Sequence, residues 1–408
     1  MNLWPVIKLS WKNVWRNPMR SGVVIVAVVL GTLAGIFSTG LMNGLSMQYI
    51  RNQLETSVAH IQLHHEKFNE ESLPRYYIAA PDSLSAELEL YEFVESKSSR
   101  SVVQGLASSA TNTFGVTIKG IDVKEDSTVS TIHTYITEGN YLEDPSRNPV
   151  LIGSKLAQRL KVDLRSRMVL NFQDVEGHIT AGAFRVAGIF DSPNSAFDEA
   201  NVFVRRNDLN RLLGEENLVH EIVLLVDNFK NGDIYRDSLA QNFAGVEIQS
   251  WGDVSPSLRY TDSNVDFMLY IFMTIIAIAL TFGIINTMLM AVLERTQELG
   301  MLMAIGVNKV RTFSMVMFET LFLTLVGVPV GMALSWLALT WVGKVGIDLS
   351  AFADGLEEYG LSPMIYPELP EGYYLNIGLL MLFFTLMVAI YPSVKALKLN
   401  PVQAIRKV

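Results

Sequence analysis

The densest run of chemically capable side chains is Glu294-Arg295-Thr296-Gln297-Glu298, which continues as Leu299-Gly300-Met301-Leu302-Met303-Ala304-Ile305-Gly306. On a helix, Glu294 and Glu298 lie about one turn apart, and Arg295 sits three residues before Glu298, the spacing of a side-chain ion pair. Gly300 and Ala304 share a face at i, i+4 and leave a small surface that a groove on another protein can accept. Charged edges beside a small face do the chemistry of docking rather than of bond-making. Glu294, Arg295, Glu298, Gly300, Ala304 and Gly306 are therefore candidate contacts for a soluble partner.

Other reactive groups lead to plainer readings. His60, His64 and His65 invite a metal, but strand alternation turns His65 away from the other two, so surface or edge histidines are expected. Glu319 is the one acid deep in an apolar stretch, and an intramembrane carboxylate is a functional candidate by default. It lies eight residues past Arg311, about 12 Å along a helix, so a carboxylate paired near the interface is expected rather than a transport role. The acid pairs Glu70-Glu71, Glu215-Glu216 and Glu357-Glu358 read as solvated surface. With no cysteine, thiol catalysis, disulfides and thiolate metal sites are excluded. Phosphate-loop, zinc-protease and nucleophile-elbow signatures are absent, so the chain is not expected to be an enzyme, to hydrolyse nucleotide, or to hold a metal or cofactor.

The elements that carry these residues are mostly apolar. Half of the 408 residues are hydrophobic and only 18% are charged, against about 25% in soluble domains. Gly22–Met47, Phe267–Leu293, Thr312–Val342 and Tyr373–Val394 are nearly charge-free. Each meets the length of about 20 residues needed to cross a hydrocarbon core. The first is too long for a cleaved leader and reads as a retained anchor. Residues 48–262 are polar, with thirty-one acidic and twenty basic side chains, which argues against nucleic acid as a partner. Lys8, Lys12, Arg16 and Arg20, then Arg295, Lys309 and Arg311, then Lys395, Lys398, Arg406 and Lys407 flank the spans on one side. Positive charge marks the cytoplasm, so both termini and the 294–311 link are expected there, with the polar region outside.

Leu3–Arg16 reads as an interfacial amphipathic helix, with Lys8, Lys12 and Arg16 on one face and Trp4, Ile7, Trp11, Val14 and Trp15 on the other. Gly31, Gly35, Gly40 and Gly44 in the first span predict close packing on another helix. In the polar region, 60–64, 101–120, 167–172, 183–190, 201–204 and 221–226 read as strands. Residues 83–98, 150–160 and 235–243 read as helices. Asn400 and Pro401 would cap and begin a short helix in the tail.

The run from Ile285-Asn286 through Glu294-Arg295-Thr296 to Gly306, together with Tyr391-Pro392-Ser393-Val394-Lys395-Ala396 and Asn400-Pro401-Val402-Gln403-Ala404-Ile405-Arg406, resembles the signatures of the FtsX/MacB superfamily of ABC transporter permeases (type VII). The resemblance implies an α-helical membrane protein with four transmembrane helices and a large α/β extracytoplasmic domain, a porter-like part plus a strand-rich insertion, between helices 1 and 2. The implied division is 1–20 elbow helix, 21–47 helix 1, 48–262 MacB-like periplasmic domain, 263–293 helix 2 and 294–311 coupling helix. Then follow 312–342 helix 3, 343–372 outer loop, 373–394 helix 4 and 395–408 cytoplasmic tail.

It also implies mechanotransmission: two separate ATPase subunits, binding ATP and Mg, drive the coupling helix, and the motion reaches the outer domain. A second permease copy or sister permease and membrane lipid are implied partners, in the inner membrane. Within the superfamily the lipoprotein-releasing permeases LolC and LolE are most similar, through Ala59-His60-Ile61-Gln62, Trp251, Tyr366-Pro367-Glu368-Leu369-Pro370 and Tyr373-Tyr374. That branch implies extraction of lipoproteins for a periplasmic carrier. Met42, Leu45, Met47, Phe267, Met268 and Ile271 are candidates for an apolar substrate cavity. A MacB-like exporter of amphiphilic drugs or peptides, served by an adaptor, and an FtsX-like transducer that regulates an envelope hydrolase are the alternatives.

Overall fold

A computed structural model describes residues 4–143, 148–243, 245–305 and 307–397. Contacts divide the chain into two units, one of residues 1–46, 264–348 and 365–408, the other of 47–263 and 349–364. The expected tail helix at Asn400 and Pro401 and the loop at 144–147 lie outside the described residues.

The first unit is helical. An elbow helix, Trp4–Arg16, precedes the first spanning helix, Pro18–Gln53. The second, Pro256–Glu294, is followed by a link helix, Thr296–Ala304; the third is Lys309–Val345 and the fourth Glu371–Leu397. Each spanning helix is long and apolar enough to cross a membrane. Many outward side chains are apolar, such as Phe282, Trp341 and Phe383, as a lipid-facing surface requires. Inside, Val28, Ile36, Met273, Ala277, Leu323, Ile377 and Met381 form the common core.

Small residues set the helix approach, as the first-span glycines predict. A Cβ at Gly40 would stand 2.8 Å from Leu339, and one at Gly35 would stand 2.9 Å from Met381. The third helix answers with Gly327 and Gly331, whose added Cβ atoms would lie 2.8 Å from Val28 and 2.7 Å from Thr32. Three of its buried hydroxyls turn back on their own helix: Thr320 donates to Val316 O, Thr324 to Thr320 O and Ser335 to Gly331 O. Each of these three thereby finds an acceptor one turn back along its own backbone.

The second unit is built on a ten-stranded sheet. Its strands are β1 Ile61–His65, β2 Val94–Ser108, β3 Thr113–Ile121, β4 Ile136–Gly139 and β5 Pro149–Gly153. They continue as β6 Arg167–Gln173, β7 Ile179–Phe190, β8 Asn201–Arg205, β9 Glu221–Val226 and β10 Val246–Ser250. The order is β10-β1-β9-β2-β3-β8-β5-β7-β4, with β6 bridging β2 and β7. β2 is the spine. Its first half pairs with β9 and its second with β3 and β6, so one strand serves two cores. Ile61, Leu63, Leu84, Leu88, Ile222 and Leu224 fill one; Val103, Ile118, Leu160, Leu170, Phe184 and Val204 fill the other.

Where β2 passes between the cores its sequence turns polar. Arg100 is buried and bonds Asp126 at 2.7 Å, with Glu221 at 3.4 Å, while Tyr141 donates to Asp126 at 2.8 Å. The buried charges thus carry their own partners, as a low-dielectric site demands.

Four expectations change. Residues 83–98 are not one helix: Pro81–Leu88 is helical and β2 begins at Val94. Its Ser-rich run has weak helix preference, and the ladder with β9 claims it. Val150–Leu160 divides likewise, because Val150-Leu151-Ile152 is a fully buried strand and only Ser154–Leu160 is helical. A short apolar run has no period to separate the two forms. The helix expected at 235–243 runs Gly232–Ala240. The histidines also differ from surface or edge groups. β1 is paired on both sides, and His64 is buried, stacked 5.5 Å from Phe68, which in turn stacks on His220. Among the described residues no cluster of three or more metal-ligating side chains forms.

Candidate coupling site

The second spanning helix stops at Glu294 because Arg295 leaves helical geometry, at φ −99° and ψ 17°. Thr296 tightens the bend by donating to Leu293 O at 2.6 Å. The link helix then lasts only to Ala304. Asn308 caps the third helix, its side chain accepting from Val310 N at 3.2 Å; an amide side chain at this position satisfies an otherwise unpaired first-turn donor. A nine-residue helix is thus held between two breaks.

Its roll follows from Leu299, which is 2% exposed and belongs to the helical core. Gly300 turns inward beside it. The expectation that Gly300 and Ala304 share a docking face therefore fails: Gly300 is buried, whereas Ala304 is exposed at the helix end. The outward face consists of Glu294, Gln297, Met301, Ala304 and Ile305, with Met301 54% and Ile305 79% exposed. Gly306 lies outside the described residues.

The charges form a relay. Arg16 of the elbow helix bonds Glu298. The other carboxylate oxygen of Glu298 accepts from Arg295 Nε at 3.0 Å, the i, i+3 pair that the spacing predicts. Arg295 Nη1 reaches both oxygens of Glu319, at 2.7 and 2.9 Å. The outer pair is open to solvent and the inner one is nearly dry, with Arg295 at 11% and Glu319 at 8% exposure. Met288, Val292, Leu299, Met315 and Val316 wall the inner pair. Glu319 is accordingly paired, as its position predicts, and Arg295 is its partner. The hydrogen bond from Arg16, aided by the charge of Arg295, holds the Glu298 carboxyl below its usual range.

The elbow helix packs on the third helix through an unforeseen stripe. Ser10 and Val14 are buried, Ser10 donates to Met315 O at 3.1 Å, and the Trp11 ring meets Phe322 edge-on at 5.2 Å. Trp4, Trp11 and Trp15 remain exposed, free to meet a headgroup layer. Nothing in the local sequence signals Arg16 as a partner of Glu298, since 282 residues separate them.

The candidate cavity residues do not share one setting. Met42 and Leu45 are half-buried, and Phe267, Met268 and Ile271 are exposed on the second helix. Met47 instead packs with Ile50, Leu54, Val58, Trp251 and Leu258. Its burial in that cluster removes it from an open cavity wall.

Two family models match the chain: the MacB-like periplasmic core domain over residues 21–240 and the FtsX-like permease C-terminal over residues 270–401. An uncharacterized ABC transporter permease of Methanocaldococcus jannaschii is 24% identical, covering 98% of this chain and 97% of its own. The lipoprotein-releasing system transmembrane protein LolC of Neisseria meningitidis is 23% identical, over 96% and 95% respectively. The macrolide export ATP-binding/permease protein MacB of Acinetobacter baylyi is 25% identical over 37% of this chain and 24% of its own. Among the described residues four helices are long and apolar enough to span a membrane, an α/β unit follows the first, and a short link bends between the second and third; with the two family models matched along it, the chain belongs to the FtsX/MacB family of ABC transporter permeases.

Proposed function

We propose that this chain is the permease subunit of a mechanotransmitting ABC transporter that extracts lipoproteins from the outer leaflet of the inner membrane. The observation that carries the reading is the link helix: an outward face of Met301, Ala304 and Ile305 on a helix tied by charge to its own membrane unit. Two separate ATPase subunits, which bind ATP and Mg, seat on that face, and a second permease copy or sister permease completes the pair. The Lys/Arg distribution supports cytoplasmic termini and link with a periplasmic head.

The match to LolC, 23% identical along 96% of this chain, supports lipoprotein as cargo. Each acyl CH₂ is worth about 0.8 kcal/mol in lipid, so three chains amount to on the order of 30 kcal/mol. Release must therefore pass the chains along apolar surface to a carrier, and Met42, Leu45, Phe267, Met268 and Ile271 are the candidates for its start. Reconstitution with the ATPase, a labelled triacylated lipoprotein and a periplasmic acceptor tests this. ATP-dependent release that needs this chain is expected; release without it would end the assignment. Export of an amphiphile is the second reading, favoured by the MacB match, and predicts ATP-driven drug or peptide movement with no lipoprotein release.

A further inference from the structure

The link helix has no continuous helical attachment at its start. Backbone geometry breaks at Arg295, and at the other end Asn308 begins a new helix. Side chains span these gaps. Arg295 grips Glu319 of the third helix through two hydrogen bonds in a nearly dry site, and the same guanidinium holds Glu298 of the link. A second route closes on the same place. Glu298 bonds Arg16, whose helix is pinned by Ser10 to Met315 O, one turn before Glu319.

From this doubly closed circuit we infer that Arg295 is a positioning residue that locks the link helix, the elbow helix and the third spanning helix into one rigid body. Force applied to the link is then delivered to the third helix, and the bend at Arg295 leaves the second helix to follow. The inference rests on the coupling role proposed above. It depends on the fork of the guanidinium, which places one donor on each carboxylate; the single ammonium of lysine keeps the charge but cannot hold both directions.

The chain has no cysteine, so spin labels at Ala304→Cys and Leu325→Cys, both exposed positions, report the link–third helix distance directly. In the full chain in nanodiscs, a narrow distribution is expected. Arg295→Lys and Glu319→Gln should each broaden it, and the double variant should be no broader than either single one. In the unlabelled chain with the ATPase added, Arg295→Lys and Glu319→Gln should each bind it normally yet lose at least tenfold of ATP-driven release. Distributions as narrow as the parent's, or additive broadening, would overturn the rigid body. Met301→Asp/Ile305→Asp separates the two ideas: it should abolish ATPase binding while leaving the distance narrow. Normal binding in that variant sinks the coupling role, and the label distances still decide the lock.

Discussion

His220 shows how a single residue can be tied to one protonation state by its neighbours. Its Nδ1 accepts from Val102 N at 3.0 Å and its Nε2 faces Pro74 O at 2.9 Å, so the neutral ring satisfies both nitrogens. A second proton would point at an N–H. Burial, the largest cause, pushes its pKa down to about 4. A folded pKa below the unfolded one contributes stability that is full above about 6.5 and is lost as the pH falls towards 4, about 3 kcal/mol in all. Asp198 works the other way. Burial pushes it up to about 7, so it favours the folded state as the pH falls through that value. Thermal melts of the parent and His220→Asn between pH 7.5 and pH 4.5 should therefore differ most at neutral pH and converge in acid. A constant difference would mean that the ring does not resist protonation.

At the scale of elements, what the sequence discloses depends on how local the cause is. The spanning helices are legible because each carries its own apolar run, and the link because Glu294, Arg295 and Glu298 keep helical spacing. β5 and β2 are not. Val150-Leu151-Ile152 and the Ser-rich run before Arg100 take their form from strands distant in sequence. The inward roll of Gly300 and the Arg16–Glu298 bond are hidden for the same reason, since packing and long-range pairing decide them. The glycine faces were legible as a pattern, though not their partners. Gly331→Leu should push the third helix off Thr32 and Val29 O, costing about 1–3 kcal/mol as a loss of melting temperature in detergent. Gly283→Ala, with nothing within 4 Å of its added carbon, should leave the melt unchanged or raise it. Equal effects at both sites would show that the helix faces are misassigned.

For the whole molecule, the two units are built on different economies. The head carries buried charge with matched partners, such as Arg100 with Asp126 and Glu221. The membrane unit buries the charge of Arg295 against Glu319 and turns hydroxyls such as those of Thr320 and Ser335 onto their own helix. The second and fourth helices also differ in how much shaft precedes their apolar runs. The second begins at Pro256, eleven residues before Phe267, whereas the fourth begins at Glu371, two residues before Tyr373. At 1.5 Å per residue that is roughly 16 Å of shaft against about 3 Å. A thickening bilayer can slide along the second helix's shaft without drowning its end, but the fourth has little shaft to spare. A cysteine at Gly372 should lose reactivity towards an impermeant maleimide as acyl chains lengthen, while one at Ser257 keeps it; parallel loss at both would refute this. Lipid thickness would then act on this protein as a gauge read by the rod with the least stem.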